Sequence, residues 1–364
     1  MHGFEYFVPT EIVFGAGSTE KLPELLKKRG LSRVLVVYGG SSAKKSGLLD
    51  RVFRLLDEAG VQYRALGGGS VIDTCKAIAH GAANPGTDIW EFWKRRAPLT
   101  RSMPVGVVLT IPAAGSETSD SAVLTNAEAG EKRGLNTPFN RPAFAILDPL
   151  LAATLPVHQV ACGVSDILMH TLDRYFNPVT DNALTDELAE ALLRVVLEYG
   201  PAAVRDAHDE TAMSEIMWAG SLSHNGLTGL GGRKDFATHQ LGHALSEKFD
   251  VYHGDSLTAV WSSWAQSVMD ADPARFARFA RNVWHVEEAD DTAAALAGIA
   301  KQEAFFQSIG MPVRLGELSC GKQDEAGLAD LASRCSYGKT RTIGTFRVLD
   351  YESILAIYRR ANEA

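Results

Sequence analysis

Three histidines lie close together in the segment FATHQLGHALSEKFDVYHGDS, which spans residues 236–256. His239 and His243 are four residues apart in a stretch with helical periodicity, so their imidazoles should lie on one face of that helix. His253 follows His239 by fourteen residues, after a break in the pattern, near the expected start of the next helix. Because imidazole is the commonest metal ligand in proteins, this crowding favours a metal site.

A second pair of possible ligands lies upstream, in GVSDILMHTLDRYF, residues 163–176. Asp166 and His170 are again four residues apart on a predicted helix, and Asp-x3-His is a workable two-donor unit for a metal. The residue types alone also fit a packed histidine pair and a carboxylate that stabilises a helix N-terminus. The two units together favour a metal site, while the packed-pair alternative stays open.

Composition limits the classes of protein that can carry such a site. The chain has 364 residues, 46% hydrophobic and 22% charged, which is enough for two domains with separate cores. A net charge of −8 argues against a nucleic-acid binder, and neither a membrane-spanning run nor a signal-peptide pattern is present. Four widely spaced cysteines without a CxxC pair indicate reduced thiols in a cytoplasmic protein: Cys75, Cys162, Cys320 and Cys335.

The elements that must position these residues differ between the two halves of the chain. In the first half, β-rich runs alternate with glycine turns and helical segments such as SGLLDRVFRLLDEAG (46–60). The runs typical of buried strands are VLVVYGG (34–40), VGVVLTIPA (105–113) and PAFAILDP (142–149). This order predicts an α/β domain with parallel strands over residues 1–156, with ligands at the carboxyl ends of the strands.

The second half lacks strand signals and carries apolar residues at helical spacing. The clearest segments are TDELAEALLRVVLEYG (185–200), ETAMSEIMWAGSLSHNG (210–226), DDTAAALAGIAKQEAFFQSIG (290–310) and DYESILAIYRRANEA (350–364). We therefore predict an all-helical domain over residues 157–364, which contains both histidine units.

Two turns rich in small residues lie in the first half, GGGSVIDTCK (67–76) and AAGSET (113–118). Each would let backbone N–H groups approach a pyrophosphate closely. Tight turns between strand and helix also need glycine, and neither turn has the G-x-G-x-x-G pattern. The turns are consistent with a dinucleotide site without requiring one.

Taken in order, these motifs resemble those of the iron-containing (group III) alcohol dehydrogenases. The motifs that carry the resemblance are FVPTEIVFGAGS, GGGSVIDTCKAIA, LTIPAAGSETSDSAVLTN, AILDP, D-x3-H and HQLGHALSEKFDVYHGDS. They cover nearly the whole chain and are most similar to the NADPH-dependent butanol dehydrogenase and aldehyde reductase subgroup. The resemblance implies an N-terminal Rossmann-like dinucleotide-binding domain, a C-terminal all-α metal-binding and catalytic domain, and a homodimer or larger assembly.

The resemblance also implies roles for individual residues. A divalent ion, Fe²⁺ or Zn²⁺, would be held by Asp166, His170, His239 and His253, whereas His243 would line the substrate pocket. There it is a candidate for relaying the proton or for binding the substrate oxygen. Asp73 would lie at the nicotinamide end of the cofactor. The other implied cofactor contacts are Gly68, Gly69, Ser70, Thr110, Ser116 and Lys132. No role is implied for His2, His80, His158, His208, His224 and His285.

Cofactor preference depends on the segment VVYGGSSAKKSG, residues 36–47. Enzymes that favour NAD place a carboxylate at the end of a strand, where it binds the adenosine ribose and repels a 2′-phosphate. The corresponding residue here is Gly40, followed by Ser41 and Ser42 and by the charges of Lys44 and Lys45. We predict that NADP(H) is preferred and that NAD(H) remains usable; a solvated glycine-serine turn is the alternative.

The chain departs from the family pattern in two places. Ala114 stands where most relatives have a threonine before the Gly-Ser-Glu turn. Between Gly60 and Gly67 only VQYRAL is present, where relatives carry a longer segment with a loop, a helix and a strand. Either the dinucleotide domain is shortened, or the recorded sequence omits a segment.

The function that follows is hydride transfer between NAD(P)(H) and a primary alcohol or aldehyde. One alternative is a polyol dehydrogenase of the glycerol dehydrogenase kind, or a dehydroquinate synthase. A metallohydrolase would use the same ligands without a nicotinamide. A metal-binding protein with impaired cofactor binding would explain the short segment.

Overall fold

The structure is a computed structural model that describes residues 3–40, 42–67, 71–126, 128, 131–179 and 181–363. The chain divides into two compact units. The α/β unit comprises Phe7–Ile111 and Gly115–Thr154. The helical unit comprises Leu155–Ala364 with two short segments, Met1–Tyr6 and Pro112–Ala114. The sequence-based limits, 1–156 and 157–364, stay a prediction.

The α/β unit contains parallel strands, as its sequence predicts. Its strands are β1 (Glu11–Phe14), β2 (Arg33–Tyr38), β3 (Gln62–Gly67), β4 (Gly106–Leu109), β5 (Ser121–Asn126), β6 (Glu131–Asn136) and β7 (Phe144–Leu147). Its helices are α1 (Leu22–Lys28), α2 (Ser42–Lys45), α3 (Leu48–Glu58), α4 (Val71–Ala83) and α5 (Ile89–Trp93). β1, β7 and β4 form one parallel sheet, β2 and β3 a second, and β5 and β6 an antiparallel hairpin that the sequence analysis did not anticipate.

The short bridge VQYRAL supplies most of β3, so the strand that leads into the glycine-rich turn is present. Alternation along β2 places Val34 and Val36 against the core of the unit. On the opposite face of this two-stranded sheet, Leu35 and Leu66 are 44% and 45% exposed. Parallel sheets are ordinarily covered on both faces. The exposed face therefore agrees with a missing covering segment, and it fits a shortened domain and an omitted stretch of sequence equally.

The helical unit confirms the predicted all-α architecture. Its helices are α6 (Val157–Tyr175), α7 (Ala183–Arg205), α8 (Glu210–His224), α9 (Ala237–Phe249), α10 (His253–Val268), α11 (Pro273–Trp284), α12 (Asp291–Ser308), α13 (Glu325–Cys335) and α14 (Tyr351–Asn362). Within its described residues, the β-type pairing is a single bridge between Ile343 and Leu349. No helix in the described part of the chain combines the length and apolar character needed to span a bilayer.

Helix α6 lies at the centre of the helical unit. It packs against α7, α8, α9 and α10, and it is buried almost all round from Val160 to its end. A helix in this position is expected to be apolar on every face. Yet Asp166, His170 and Asp173 are all buried on it, and burying such groups is costly unless they are paired or bind a metal.

Candidate metal centre and active site

Three helices bring the predicted metal ligands together. Asp166 and His170 lie one turn apart on α6, His239 lies in the first turn of α9, and His253 is the first residue of α10. All three helices belong to the helical unit. The four side chains are therefore positioned by rigid elements and not by loops.

The ends of α9 and α10 are fixed by local features of the sequence. The Asp235 carboxylate accepts hydrogen bonds from the backbone N–H groups of Ala237 and Thr345, at 3.2 and 2.7 Å, which anchors the start of α9. At Gly254, the residue after His253, a Cβ atom would lie 2.6 Å from the Cα of Cys162. Only glycine lets the first turn of α10 approach α6 this closely.

One carboxylate oxygen is the common neighbour of three imidazole nitrogens. Oδ1 of Asp166 lies 3.4 Å from Nε2 of His170, 3.6 Å from Nε2 of His239 and 3.7 Å from Nε2 of His253. Bonds of about 2.0–2.2 Å to a tetrahedral ion place neighbouring ligand atoms about 3.3–3.6 Å apart. The donor atoms of Asp166, His170 and His239 all lie within 4.8 Å of one another, which suits a single coordination sphere. His253 approaches this group from the side of the Asp166 carboxylate.

Burial supports the same interpretation. Asp166 is 4% exposed and His239 3% exposed, yet Oδ1 of Asp166 and Nε2 of His239 have no hydrogen-bond partner. A buried polar atom without a partner costs about 1–3 kcal/mol, so native structures rarely leave two together. A divalent ion would satisfy both atoms. One carboxylate with three imidazoles suits Fe²⁺ or Zn²⁺.

Asp173, which the sequence analysis missed, orients one of these imidazoles. Its Oδ2 lies 2.5 Å from Nδ1 of His239. Nδ1 therefore carries the proton, and the lone pair of Nε2 can bind a metal. Burial lowers the pKa of His239, but the carboxylates of Asp173 and Asp166 outweigh burial and raise that pKa to about 9. The site thus favours positive charge. The spacing D-x3-H-x2-D within α6 was the available sequence signal.

His224 is a second residue near the centre to which the sequence analysis assigned no role. It ends α8, is buried, and places Nδ1 3.1 Å from Nε2 of His170. Burial and the neighbouring imidazoles of His224 and His239 lower the pKa of His170 well below its ordinary value. His170 is therefore neutral, the form that a metal ligand requires. No spacing rule links α8 to α6, so sequence reasoning had no signal for His224.

His243 lies beside the four predicted ligands without joining them. Its ring is stacked on that of His253 with centroids 5.4 Å apart, and its centroid is 6.2 Å from that of His239. The side chain is half-buried, so it borders both the cluster and solvent. This position is compatible with contact to a substrate oxygen.

The predicted cofactor residues that the structure describes lie in the α/β unit. β2 and β3 end side by side, with Tyr38 paired to Gly67, so the turns that follow both strands start at one edge. Gly40 is exposed, with open space where a side chain would stand, and the ammonium of Lys44 lies 5.3 Å from the centre of the Tyr38 ring. Ser42 begins α2. Ser41, Gly68, Gly69 and Ser70 lie outside the described residues.

Asp73 and Ser116 are brought together by a buried lysine. Ser116 Oγ donates to Oδ1 of Asp73 at 2.6 Å, and the N–H of Val123 donates to Oδ2 at 2.8 Å. Nζ of Lys76, fully buried, donates to Ser116 Oγ at 2.7 Å. Asp73 thus holds α4 to β5. Thr110 and Lys132 were also predicted to contact the cofactor. Thr110 lies directly after β4 and Lys132 lies within β6, and both are half-buried.

Comparison with known families decides the class of this protein. A model described as "Fe-containing alcohol dehydrogenase family, C-terminal" matches residues 159–362, and one described as "Iron-containing alcohol dehydrogenase" matches residues 9–64 and 65–149. The chain belongs to the iron-containing alcohol dehydrogenase family. It is accordingly an NAD(P)-dependent alcohol dehydrogenase with a divalent metal. The interruption between residues 64 and 65 falls within VQYRAL, inside β3.

Individual iron-containing alcohol dehydrogenases match over most of their length. NADH-dependent butanol dehydrogenase A of Clostridium acetobutylicum is 34% identical over 393 residues, covering 99% of this chain and 100% of that protein. NADPH-dependent aldehyde reductase YqhD of Escherichia coli is 33% identical, and the alignment covers 87% of this chain and 89% of that protein. The crystal structure of NADH-dependent butanol dehydrogenase A from Thermotoga maritima matches with a TM-score of 0.94 at 28% identity. The match covers 100% of this chain and 99% of that chain. The first alignment is longer than this chain of 364 residues, so it contains gaps in this chain.

Proposed function

We propose that the enzyme reversibly transfers hydride between NADP(H) and a primary alcohol or aldehyde at a metal held by Asp166, His170, His239 and His253. The observation that carries the proposal is the convergence of three Nε2 atoms on the Asp166 carboxylate, 3.4–3.7 Å from Oδ1. Relatives named as butanol dehydrogenases and as an aldehyde reductase support the substrate class.

The metal, when bound, supplies Lewis acidity to the substrate oxygen, and the nicotinamide supplies or accepts the hydride. The chain's own contribution begins with Asp173, whose carboxylate accepts the Nδ1 proton of His239 and keeps its Nε2 directed toward Asp166. Because Asp166, His170 and His239 are buried, water has little access to this side of the centre.

His243 is the candidate for moving the proton. The half-buried imidazole lies against His253, so it can bind a substrate oxygen on one side and exchange a proton with solvent on the other. Histidine suits this role because its ordinary pKa lies near neutrality. In the α/β unit, Asp73 and Ser116 would fix the turn that receives the nicotinamide end of the cofactor.

The preference for NADP(H) rests on the edge where β2 and β3 end. Gly40 presents no carboxylate there, and the space beyond its Cα is open, so a 2′-phosphate meets neither repulsion nor a steric clash. Lys44 brings positive charge close to the end of β2. Relatives named as NADH-dependent and as NADPH-dependent both occur, so the turn must be tested directly.

We also propose that the enzyme is a cytoplasmic homodimer. The cytoplasmic location is supported by the cysteines, all four of which are free thiols. The dimer rests on the resemblance to the family and not on a surface of this chain. Light scattering at micromolar concentration should give twice the mass of the chain, and a monomer would contradict the proposal.

Metal analysis with matched variants tests the catalytic centre. His239→Ala and His253→Ala should each bind one equivalent of metal less than the wild type and lose the oxidation of NADPH by butanal. His243→Ala should retain its metal and turn over slowly, because it removes proton transfer and not a ligand. Full metal content in the first two variants would refute the ligand assignment.

Cofactor binding distinguishes the proposal from its alternatives. The exposed face of the β2–β3 sheet gives some support to a protein that holds metal but binds dinucleotide poorly. A fluorescence titration with NADPH should show saturable binding near one molecule per chain. Metal binding without NADPH binding would favour that alternative, and NADPH binding without aldehyde reduction would favour a polyol substrate.

A further inference from the structure

A second cluster of metal-ligand side chains lies on α6 and α10, beside the proposed catalytic centre. Nε2 of His158 is 3.1 Å from the Asp255 carboxylate, and Sγ of Cys162 is 3.7 Å from its Oδ1. The imidazole nitrogen, the thiol sulfur and the carboxylate oxygen all lie within 4.8 Å of one another. None of the three was assigned a role from the sequence.

The two helices present these residues because of their spacing. His158, Cys162, Asp166 and His170 follow one another at intervals of four along α6, so they form a continuous stripe. The second half of the stripe faces the proposed catalytic centre, and the first half faces the first turn of α10. Asp255 is brought to the stripe by Gly254, whose missing Cβ permits contact with the backbone of Cys162.

The cluster can be reached from solvent. His158 and Asp255 line a cavity of about 530 Å³ whose wall also includes Asp250, Tyr252 and Glu317. The side chain of His158 is 42% exposed and that of Asp255 14% exposed. An ion arriving through the cavity would meet the imidazole and carboxylate first and the half-buried thiol behind them. Water in the cavity can complete its coordination.

We propose that His158, Cys162 and Asp255 form a second metal site that binds Zn²⁺ through a thiolate, an imidazole and a carboxylate. This donor set is one that Zn²⁺ takes readily, whereas the all-nitrogen-and-oxygen centre at Asp166 also accommodates Fe²⁺. Binding replaces the thiol proton of Cys162 by a sulfur–zinc bond and releases that proton to solvent. In the metal-free chain, burial together with Asp255 raises the pKa of Cys162 to about 12, so the thiol is protonated and unreactive.

The thiolate gives the site a spectroscopic signature that the catalytic centre lacks. Co²⁺ replaces Zn²⁺ in such sites, and a cobalt–thiolate bond adds charge-transfer absorption in the near ultraviolet. Chelator-treated protein should therefore be titrated with Co²⁺, and in parallel dialysed against Zn²⁺ for elemental analysis. Neither measurement depends on turnover or on the proposed function.

The wild type and three variants distinguish metal binding at the two sites. Wild type should bind two ions and show the thiolate band, and His239→Ala should bind one ion and keep the band. Cys162→Ser should bind one ion and lose the band. Cys320→Ser, which removes another half-buried thiol, should behave as wild type. Absence of the band in saturated wild type, or its survival in Cys162→Ser, would overturn the proposal.

Discussion

The substitution Asp173→Asn tests whether the proposed catalytic centre is organised from outside its ligands. Asp173 is fully buried, and its Oδ2 accepts the Nδ1 proton of His239. Asparagine keeps the size of the side chain and an oxygen acceptor but removes the negative charge. The hydrogen bond then loses its charge assistance, and His239 is no longer held in one tautomer by electrostatics.

The expected effect is a fall in metal affinity of about 10- to 100-fold, the range for carboxylates that orient a metal-bound histidine. That range corresponds to about 1.4–2.7 kcal/mol, close to the net value of one hydrogen bond to a charged group. The dissociation constant of Zn²⁺ should be measured by competition with a chromophoric chelator, alongside the melting temperature of the metal-free protein.

Thr171→Ala is the matched control for Asp173→Asn. Thr171 is also fully buried on α6, but its hydroxyl donates to the Ile167 carbonyl within the helix and not to a ligand. It should lower the melting temperature of the metal-free protein while leaving zinc affinity nearly unchanged. Equal loss of affinity in both variants, or wild-type affinity in Asp173→Asn, would refute the orienting role of Asp173.

Three further predictions concern the cofactor turn, the helix contact and the core. Gly40→Asp should lower kcat/KM for NADPH by a factor that corresponds to about 1–3 kcal/mol, while kcat/KM for NADH stays nearly the same. An unchanged ratio of the two kcat/KM values would mean that this turn does not recognise the 2′-phosphate. Gly254→Ala should lower the free energy of unfolding by about 1–3 kcal/mol and weaken metal binding, because its Cβ would lie 2.6 Å from the Cα of Cys162. Gly134→Ala is the control and should do neither, because its Cβ would lie at an ordinary 3.8 Å from a methyl group of Val123. Asp186→Ala should lower the urea stability of the helical unit by about 3–5 kcal/mol, because Arg275, 4% exposed on its side chain, loses its carboxylate partner; a loss below 1 kcal/mol would contradict this.

Periodicity was sufficient to place the predicted ligands on helices, but not to choose among them. His239 and His243 share a face of α9, and spacing alone would pair them. In the structure Nε2 of His239 lies 3.6 Å from Asp166, whereas His243 lies a turn farther along, against His253. The choice depends on where α6 crosses α9, which is a tertiary property.

The residues that sequence reasoning missed act across elements. His224 reaches His170 from α8, and Cys162 meets Asp255 only because α6 and α10 touch at Gly254. In the α/β unit, VQYRAL was counted as a bridge, although its pairing with β2 makes it a strand. Each of these features comes from a partner distant in sequence, which local patterns do not encode.

The buried charges of α6 favour a metal at the proposed centre. Asp166 and Asp173 occupy a helix whose other buried positions are largely apolar, and a carboxylate there must be compensated or it destabilises the fold. Asp173 is compensated by the Nδ1 proton of His239. That bond leaves Nε2 of His239 and Oδ1 of Asp166 facing each other at 3.6 Å, too far for a hydrogen bond and suitably spaced for a shared cation. The arrangement that makes the metal-free helix costly is thus the one that makes binding a divalent ion favourable.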